Sequence, residues 1–357
     1  MWETVRYTSK DLSEMIEMTR SYYGDIEIAN RDFLKWQYED NPAGQALIML
    51  AKDPDQNVLA GQYIVIPSQI QHGEHIVTAT LSLNTLTKTD YQGQGIFTGL
   101  AKAVYKACQA EGVAFTYGFP NPNSHPGFIK KLGFSDLGRV PLLLRPLNIK
   151  GLVEKKVSPL LAPFSFPLRP FFRVSSRHYP NLEVFEVTQD HLPALEVFWQ
   201  TVKNKYPILG VRSASYLRWR YMTVPQREYK LYGVKYLHSD ELLGYIVGRC
   251  TEVANISSGM IVDFLVLPHH THAADALIQS LLQFFVKSGM ELAGSLMMSH
   301  SEEYRSLSNT GFFKCPKSLE PQPFPVIYRA HTNFDKDHAA FRNFNNWFLT
   351  MGDYDVI

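Results

Sequence analysis

Residues 75–87, His-Ile-Val-Thr-Ala-Thr-Leu-Ser-Leu-Asn-Thr-Leu-Thr, are rich in β-branched residues and predict a long strand. Trp2–Tyr7 alternates in the same way, and further strands are expected at 46–52 and 58–70, with His72-Gly73-Glu74 as a turn. Helical spacing takes over in two places. One helix runs from a cap at Ser9 to about Tyr23 and ends at Gly24. A second runs from a cap at Asn30 through Tyr38 and is stopped by Asn41-Pro42-Ala43-Gly44. Beyond residue 87 the pattern predicts a helix over 95–111, a strand over 113–119, a short helix over 124–132 and a hairpin or strand over 135–145. The order β-α-α-β-β-β-α-β-α-β packs as a mixed sheet with helices on both faces.

The pattern then recurs. Phe33-Leu-Lys-Trp-Gln-Tyr38 is matched by Tyr216-Leu-Arg-Trp-Arg-Tyr221, and Gly61 by Gly244, all at an offset of 183. Gly112 and Gly133-Phe134 are matched by Gly289 and Gly311-Phe312, where the offset has fallen to 177 and 178. Matches in one order along the chain point to two copies of one unit. The copies are set at 1–147 and 182–330, joined by a connector over 148–181 and followed by a tail over 331–357. The shrinking offset places a deletion between the long strand and the end of the helix that follows it.

Composition removes several classes. With 35 Lys plus Arg against 34 Asp plus Glu, the net charge of +1 gives no whole-chain reason to bind nucleic acid. Three cysteines far apart, with no CxxC, exclude a disulfide framework and a zinc ribbon and suggest a reducing compartment. The first residues do not read as a signal peptide, and no apolar run is long enough to span a bilayer. A cytoplasmic location is the expectation. The connector is basic and apolar by turns, with Arg169, Arg173 and Arg177 among Phe164, Phe166, Phe171 and Phe172. It reads as a linker packed across both copies. A membrane contact is the sharper alternative, opposed by prolines 159, 163, 167 and 170, which break an amphipathic helix.

The segment with candidate chemistry is Asn84-Thr-Leu-Thr-Lys-Thr-Asp-Tyr-Gln-Gly-Gln-Gly-Ile-Phe97, where a strand runs through a glycine-rich turn into a helix. Backbone N–H groups at such a helix start favour an anion, and glycines let the chain approach a phosphate. Neither a P-loop nor a GxGxxG fingerprint is present. A glycine turn without a ligand is the plain alternative.

Gln92-Gly93-Gln94-Gly95-Ile96 between strand and helix resembles the acyl-CoA pyrophosphate loop of the GCN5-related N-acetyltransferases (GNAT). Asn121 through Gly133-Phe134 is similar to the next motif of that family, which closes on Lys-x-Gly-Phe. The resemblance implies an α/β (α+β) fold of two tandem GNAT-like domains, each a mixed, mostly antiparallel sheet flanked by helices. It implies acetyl-CoA as co-substrate, no metal, and direct transfer of acetyl to a primary amine of a small molecule, with an amino sugar as one candidate. Thr85, Leu86 and Thr87 would pair with the pantetheine arm. Gln92, Gly93, Gln94, Gly95, Ile96 and Phe97 would hold the pyrophosphate. Asn123 and Phe128 would flank the thiol.

Two positions depart from the family. Phe97 stands where Gly or Ala is usual, and Ile129 stands where a Tyr often protonates the departing thiolate. The long strand carries no carboxylate to act as base, and Asp90 reads as a turn residue. Some two-copy members of the family bring their C-terminus into the catalytic site. By that similarity Asp353, Asp355 or the terminal carboxylate of Ile357 would be the base or hold a cationic amine; a terminal strand with solvated aspartates is the alternative.

At the loop position the second copy reads Leu267-Pro-His-His-Thr-His-Ala-Ala274, without Gly-x-Gly, so one CoA site per chain is expected. The spacing of His269, His270 and His272 is poor for joint metal ligation and fits a helix-start loop. A non-catalytic acyl-CoA-binding or scaffold protein and an aminoacyl transferase are the competing functions.

Overall fold

The computed structural model describes residues 1–148, 174, 177–331 and 338–354. Most of the connector, and Asp355 and Ile357 of the tail, lie outside the described residues.

In the first half, strand β1 (Glu3–Arg6) is followed by helices α1 (Leu12–Tyr23) and α2 (Arg31–Tyr38). Strands β2 (Leu47–Asp53), β3 (Val58–His72) and β4 (His75–Thr87) come next, then helix α3 (Ile96–Ala110), β5 (Phe115–Gly118), α4 (His125–Leu132) and β6 (Ser135–Arg139). Asn30 caps α2 as expected, its side chain accepting from the N–H groups of Asp32 and Phe33. Ser9 does not cap α1; the residue before the helix is Asp11, whose carboxylate accepts from Thr8 and is paired with Lys52.

The chain continues with β7 (Leu142–Pro146), β8 (Leu182–Glu186), β9 (Ile208–Gly210), β10 (Lys230–Tyr236), β11 (Leu242–Val253), β12 (Ile256–Val266), β13 (Leu292–Leu296), β14 (Phe313–Lys314) and β15 (Pro325–Ala330). Two sheets form, in line with the tandem expectation. The main path of the first sheet is β1-β2-β3-β4-β5-β15-β6, and that of the second β14-β7-β13-β12-β11-β10-β8. Most pairings are antiparallel, but β4 runs parallel to β5, and β12 (Ile256–Val266) parallel to β13 (Leu292–Leu296). Each sheet is completed by a strand from the other half. β7 (Leu142–Pro146) sits between β13 and β14 (Phe313–Lys314), and β15 (Pro325–Ala330) between β5 and β6. The segment 135–145 is therefore no hairpin: β6 stays in the first sheet and β7 crosses to the second.

Charge also bridges the halves, since Glu27 accepts from Arg227 at 2.7 Å and from Arg249 at 2.8 Å. The tail closes over the junction. Trp347–Phe348 pairs with Ile208–Gly210, which in turn pairs with the far end of β3. Among the described residues no helix is long and apolar enough to cross a membrane.

Candidate functional site

The glycine turn between β4 and α3 is held from three sides. The Trp2 indole N–H donates to the Gln94 carbonyl at 3.3 Å, and the Tyr91 hydroxyl donates to Asp53 at 3.0 Å. The Tyr22 and Thr89 hydroxyls lie 3.0 Å apart. Gly93 and Gly95 have φ of 78° and 80°, where a β-carbon is strained. Gly99 on α3 lets the Trp2 ring in, for a Cβ there would lie 2.7 Å from it.

The pinned turn walls a cavity of about 500 Å3. Its lining includes Thr85, Leu86 and Thr87 from the strand, Gln92, Gly93, Gly95, Ile96 and Phe97 from the turn and helix start, and Asn123. Gln94 faces away, its amide donating to the Asp90 carbonyl at 3.3 Å. Lys131 is the one charged residue of the described lining. A cation beside the start of a 15-residue helix suits phosphate groups.

A second cavity of about 350 Å3 adjoins the first and shares Tyr23, Thr85, Leu86, Asn121 and Ser124 with it. Strand pairing creates it. β4 and β5 pair from Ala79↔Phe115 to Ser82↔Gly118 and then part, because β5 ends while β4 continues to Thr87. Phe128 lines the resulting cleft, as do Ser82 and Tyr354. No charged side chain is among the described residues that line it.

A bulge shapes the β4 wall. Gln62 pairs with Leu86 and Ile64 with Leu83, so Asn84 and Thr85 together oppose Tyr63, and Asn84 has φ of 48°. Two buried oxygens at this bulge, Gln62 Oε1 and Thr85 Oγ1, have no hydrogen-bond partner among the described residues. Leaving such an atom unpaired in a fold costs about 1–3 kcal/mol, so each marks a place where a ligand or water belongs.

Proton donors and acceptors reach the cleft indirectly. Ser82 donates to the Tyr63 hydroxyl at 3.4 Å, and Tyr63 shares a hydrogen bond with Tyr105. Burial pushes the Tyr63 hydroxyl up to about 12. Ile129 packs against the apolar cluster under α3 and offers no proton.

Asp353 is buried at the end of the tail. Its Oδ2 accepts from Arg212 at 2.7 Å and from the Thr350 N–H at 2.9 Å. Arg212 also donates to Asp263 at 2.8 Å, and Tyr221 and Tyr245 donate to the same carboxylate. Burial alone would lower the Arg212 pKa; Asp263 and Asp353 outweigh it and hold the guanidinium well above its ordinary value. Asp353 thus anchors the tail. It lines a smaller cavity of about 60 Å3 that shares Leu81 and Tyr354 with the cleft. Tyr354, the last described residue of the tail, lines the cleft; Asp355 and Ile357 lie outside the described residues.

Sequence reasoning missed Gln62, Tyr23, Tyr91 and Lys131. A Gln inside an apolar strand carries no motif, and Lys131 lies in a motif whose Gly-Phe end drew attention instead. In the second half the helix Thr271–Lys287 starts after His269 and His270, with no glycine pair. The His269 N–H donates to Glu302 at 3.4 Å, and the His270 ring meets the Pro268 carbonyl at 2.9 Å, so this loop is closed by local contacts.

A strand, a glycine turn at a helix start and a cleft where two parallel strands part are together the arrangement of a GNAT-like fold. Residues 3–136 match the family model for the acetyltransferase (GNAT) domain. Solved structures resemble the chain over both halves. Saccharomyces cerevisiae N-myristoyltransferase with bound myristoyl-CoA aligns at 9% identity and a TM-score of 0.63, covering 92% of this chain and 82% of that one. A probable N-acyltransferase from Enterococcus faecalis aligns at 10% identity and 0.64, covering 92% and 73%. A GCN5-related N-acetyltransferase from Anabaena variabilis aligns at 12% and 0.61, covering 93% and 73%. At these identities the likeness is one of fold. Comparison with curated proteins finds no match.

Proposed function

We propose that the chain moves an acetyl group from acetyl-CoA to a primary amine of a small molecule, at one cofactor site in the first half. The observation that carries this reading is the groove formed by the glycine-turn cavity and the adjoining cleft. The cofactor's pyrophosphate lies on the turn 92–97 beside Lys131. Its pantetheine arm runs along Thr85–Thr87, and its thioester ends near Asn123 and Phe128, where the strands part. Holding the two reactants together supplies much of the rate. A backbone N–H of the bulged β4 is suited to polarise the thioester oxygen. The amine loses its proton to the Asp355 carboxylate, one residue after Tyr354 in the chain; Asp353 fixes the preceding turn through Arg212. The second half shapes the acceptor side and binds no CoA.

Calorimetric titration with acetyl-CoA tests the cofactor part, on the native chain and on Gly95→Glu, which sets a carboxylate beside the phosphates. One site per chain, lost in the variant, is expected; no binding at millimolar ligand overturns the reading. Myristoyl-CoA as a competitor tests acyl length. A panel of amines, amino sugars included, tests the acceptor. Ile129 and the uncharged described lining of the cleft favour a second reading, a non-catalytic acyl-CoA-binding protein. Binding without turnover of any amine selects it.

A further inference from the structure

We infer that Gln62 holds the acceptor nitrogen by an N–H that survives into the product, which makes the enzyme selective for primary over secondary amines. This rests on the acetyl-transfer reading above. Gln62 is only 3% exposed, lines the cleft, and leaves Oε1 without a partner among the described residues. The orientation of its amide is fixed. Nε2 donates to the Asn84 carbonyl at 2.9 Å, and a flipped amide would set oxygen against oxygen. Asn84 is itself held, its Nδ2 donating to Gln37 Oε1 at 3.1 Å and to the Tyr38 hydroxyl at 3.0 Å. The unpaired atom is therefore an acceptor, held by a chain of amides running back into α2.

Its place decides which donor it serves. Gln62 lines the cleft and not the cavity of the glycine turn. Its neighbours in the lining include Thr19, Tyr23 and Ile28, which belong to α1 and the turn after it rather than to the cofactor's helix. Tyr23, which is exposed, and Ile28 give this side of the cleft an apolar edge. A neutral carbonyl beside an apolar edge suits an amine on an aromatic or aliphatic body.

The bond changes agree with this. The nitrogen lone pair attacks the thioester carbon, the C–N bond forms, and the C–S bond breaks with its electron pair going to sulfur. A primary amine gives up one proton to the base and keeps one N–H, and that N–H stays on Gln62 Oε1 from substrate through transition state to amide. A secondary amine must give up its only N–H and loses the contact as the transition state forms.

The test uses the full chain, acetyl-CoA, and phenethylamine paired with N-methylphenethylamine, followed by release of the CoA thiol. Native protein is expected to prefer the primary amine at least about 10-fold in kcat/KM. Gln62→Leu should keep the acetyl-CoA Kd, lose about 10- to 50-fold in kcat/KM for phenethylamine and bring the preference near one. An unchanged preference in Gln62→Leu would assign the site to a water molecule and overturn the inference. Acetyl-CoA binding with transfer to neither amine overturns it too and leaves the cofactor groove standing, whereas no acetyl-CoA binding overturns the reading beneath it.

Discussion

Trp36 and Trp219 stack on one another with ring centroids 4.6 Å apart, and each donates its indole N–H to the other's backbone carbonyl, at 2.9 and 3.0 Å. They lie 183 residues apart, one in each half of the chain. The reciprocal bonds make the contact self-complementary, as at a two-fold interface. Trp36→Ala is expected to cost about 3–5 kcal/mol, by the cavity it opens and the carbonyl it leaves unpaired. Trp219→Ala should cost as much, and the double variant less than the sum, because both remove one contact. Urea unfolding of the three variants measures this; additive losses would show that the two rings act separately.

The tail depends on Arg212. This guanidinium is buried between Asp263 and Asp353. Arg212→Met leaves two buried carboxylates without a counter-charge and should cost about 3–5 kcal/mol. Asp353→Asn is milder, for Arg212 keeps Asp263. It should loosen the tail, read as faster proteolysis after residue 331, with acetyl-CoA affinity unchanged. If affinity falls with the tail, the tail contributes to the cofactor groove directly.

His331 at the end of β15 gives the first half a pH limit. Arg329 donates to its Nδ1 at 2.8 Å, so the ring proton sits on Nε2 and points to Thr116 at 2.6 Å. Burial, with the Arg329 charge added, lowers its pKa from 6.5 to about 4. A folded pKa below the unfolded one means that the unfolded chain binds more protons between the two values. The stability at issue is present above pH 6.5 and lost as pH falls toward 4, amounting to about 3 kcal/mol. Chemical denaturation at pH 7 and pH 5 should show the native chain losing more stability than His331→Gln; equal losses would place the acid sensitivity elsewhere.

Lys131 acts at a distance through charge. Lys131→Ala should weaken acetyl-CoA binding about 3- to 10-fold at low salt, and the difference should shrink as ionic strength rises and screening sets in. The same substitution should leave binding of pantetheine alone unchanged, since that fragment carries no phosphate.

How much of this was written in the sequence depends on whether a feature is local. Asn30 as a cap, the glycine turn and the long β4 strand follow from residues close in the chain, and they were legible. Leu142-Leu-Leu-Arg-Pro146 reads as a strand in either sheet. Nothing in its period says that it pairs with β13 rather than with its own neighbour β6, because strand propensity reports burial and not partner. Gln62 was illegible for a related reason. Its meaning lies in an oxygen that stays unpaired only once β4 bulges at Asn84.

The exchanged strands make the last prediction. In the first sheet β15 lies between β5 and β6, with Ile327 opposite both Gly118 and Asp136. Val326 and Ile327 are fully buried there. A fragment ending at residue 147 has every motif of the GNAT domain, yet its sheet lacks one interior strand, so β5 and β6 expose unpaired edges. It also carries β7, an apolar strand whose partners are in the other half. Open apolar edges of this kind aggregate. The fragment alone should be insoluble or fail to bind acetyl-CoA, and co-expression with residues 148–357 should restore a soluble complex that binds one acetyl-CoA. A fragment 1–147 that folds alone and binds acetyl-CoA would show that β5 and β6 can close on each other, and that the exchange is dispensable for the cofactor site.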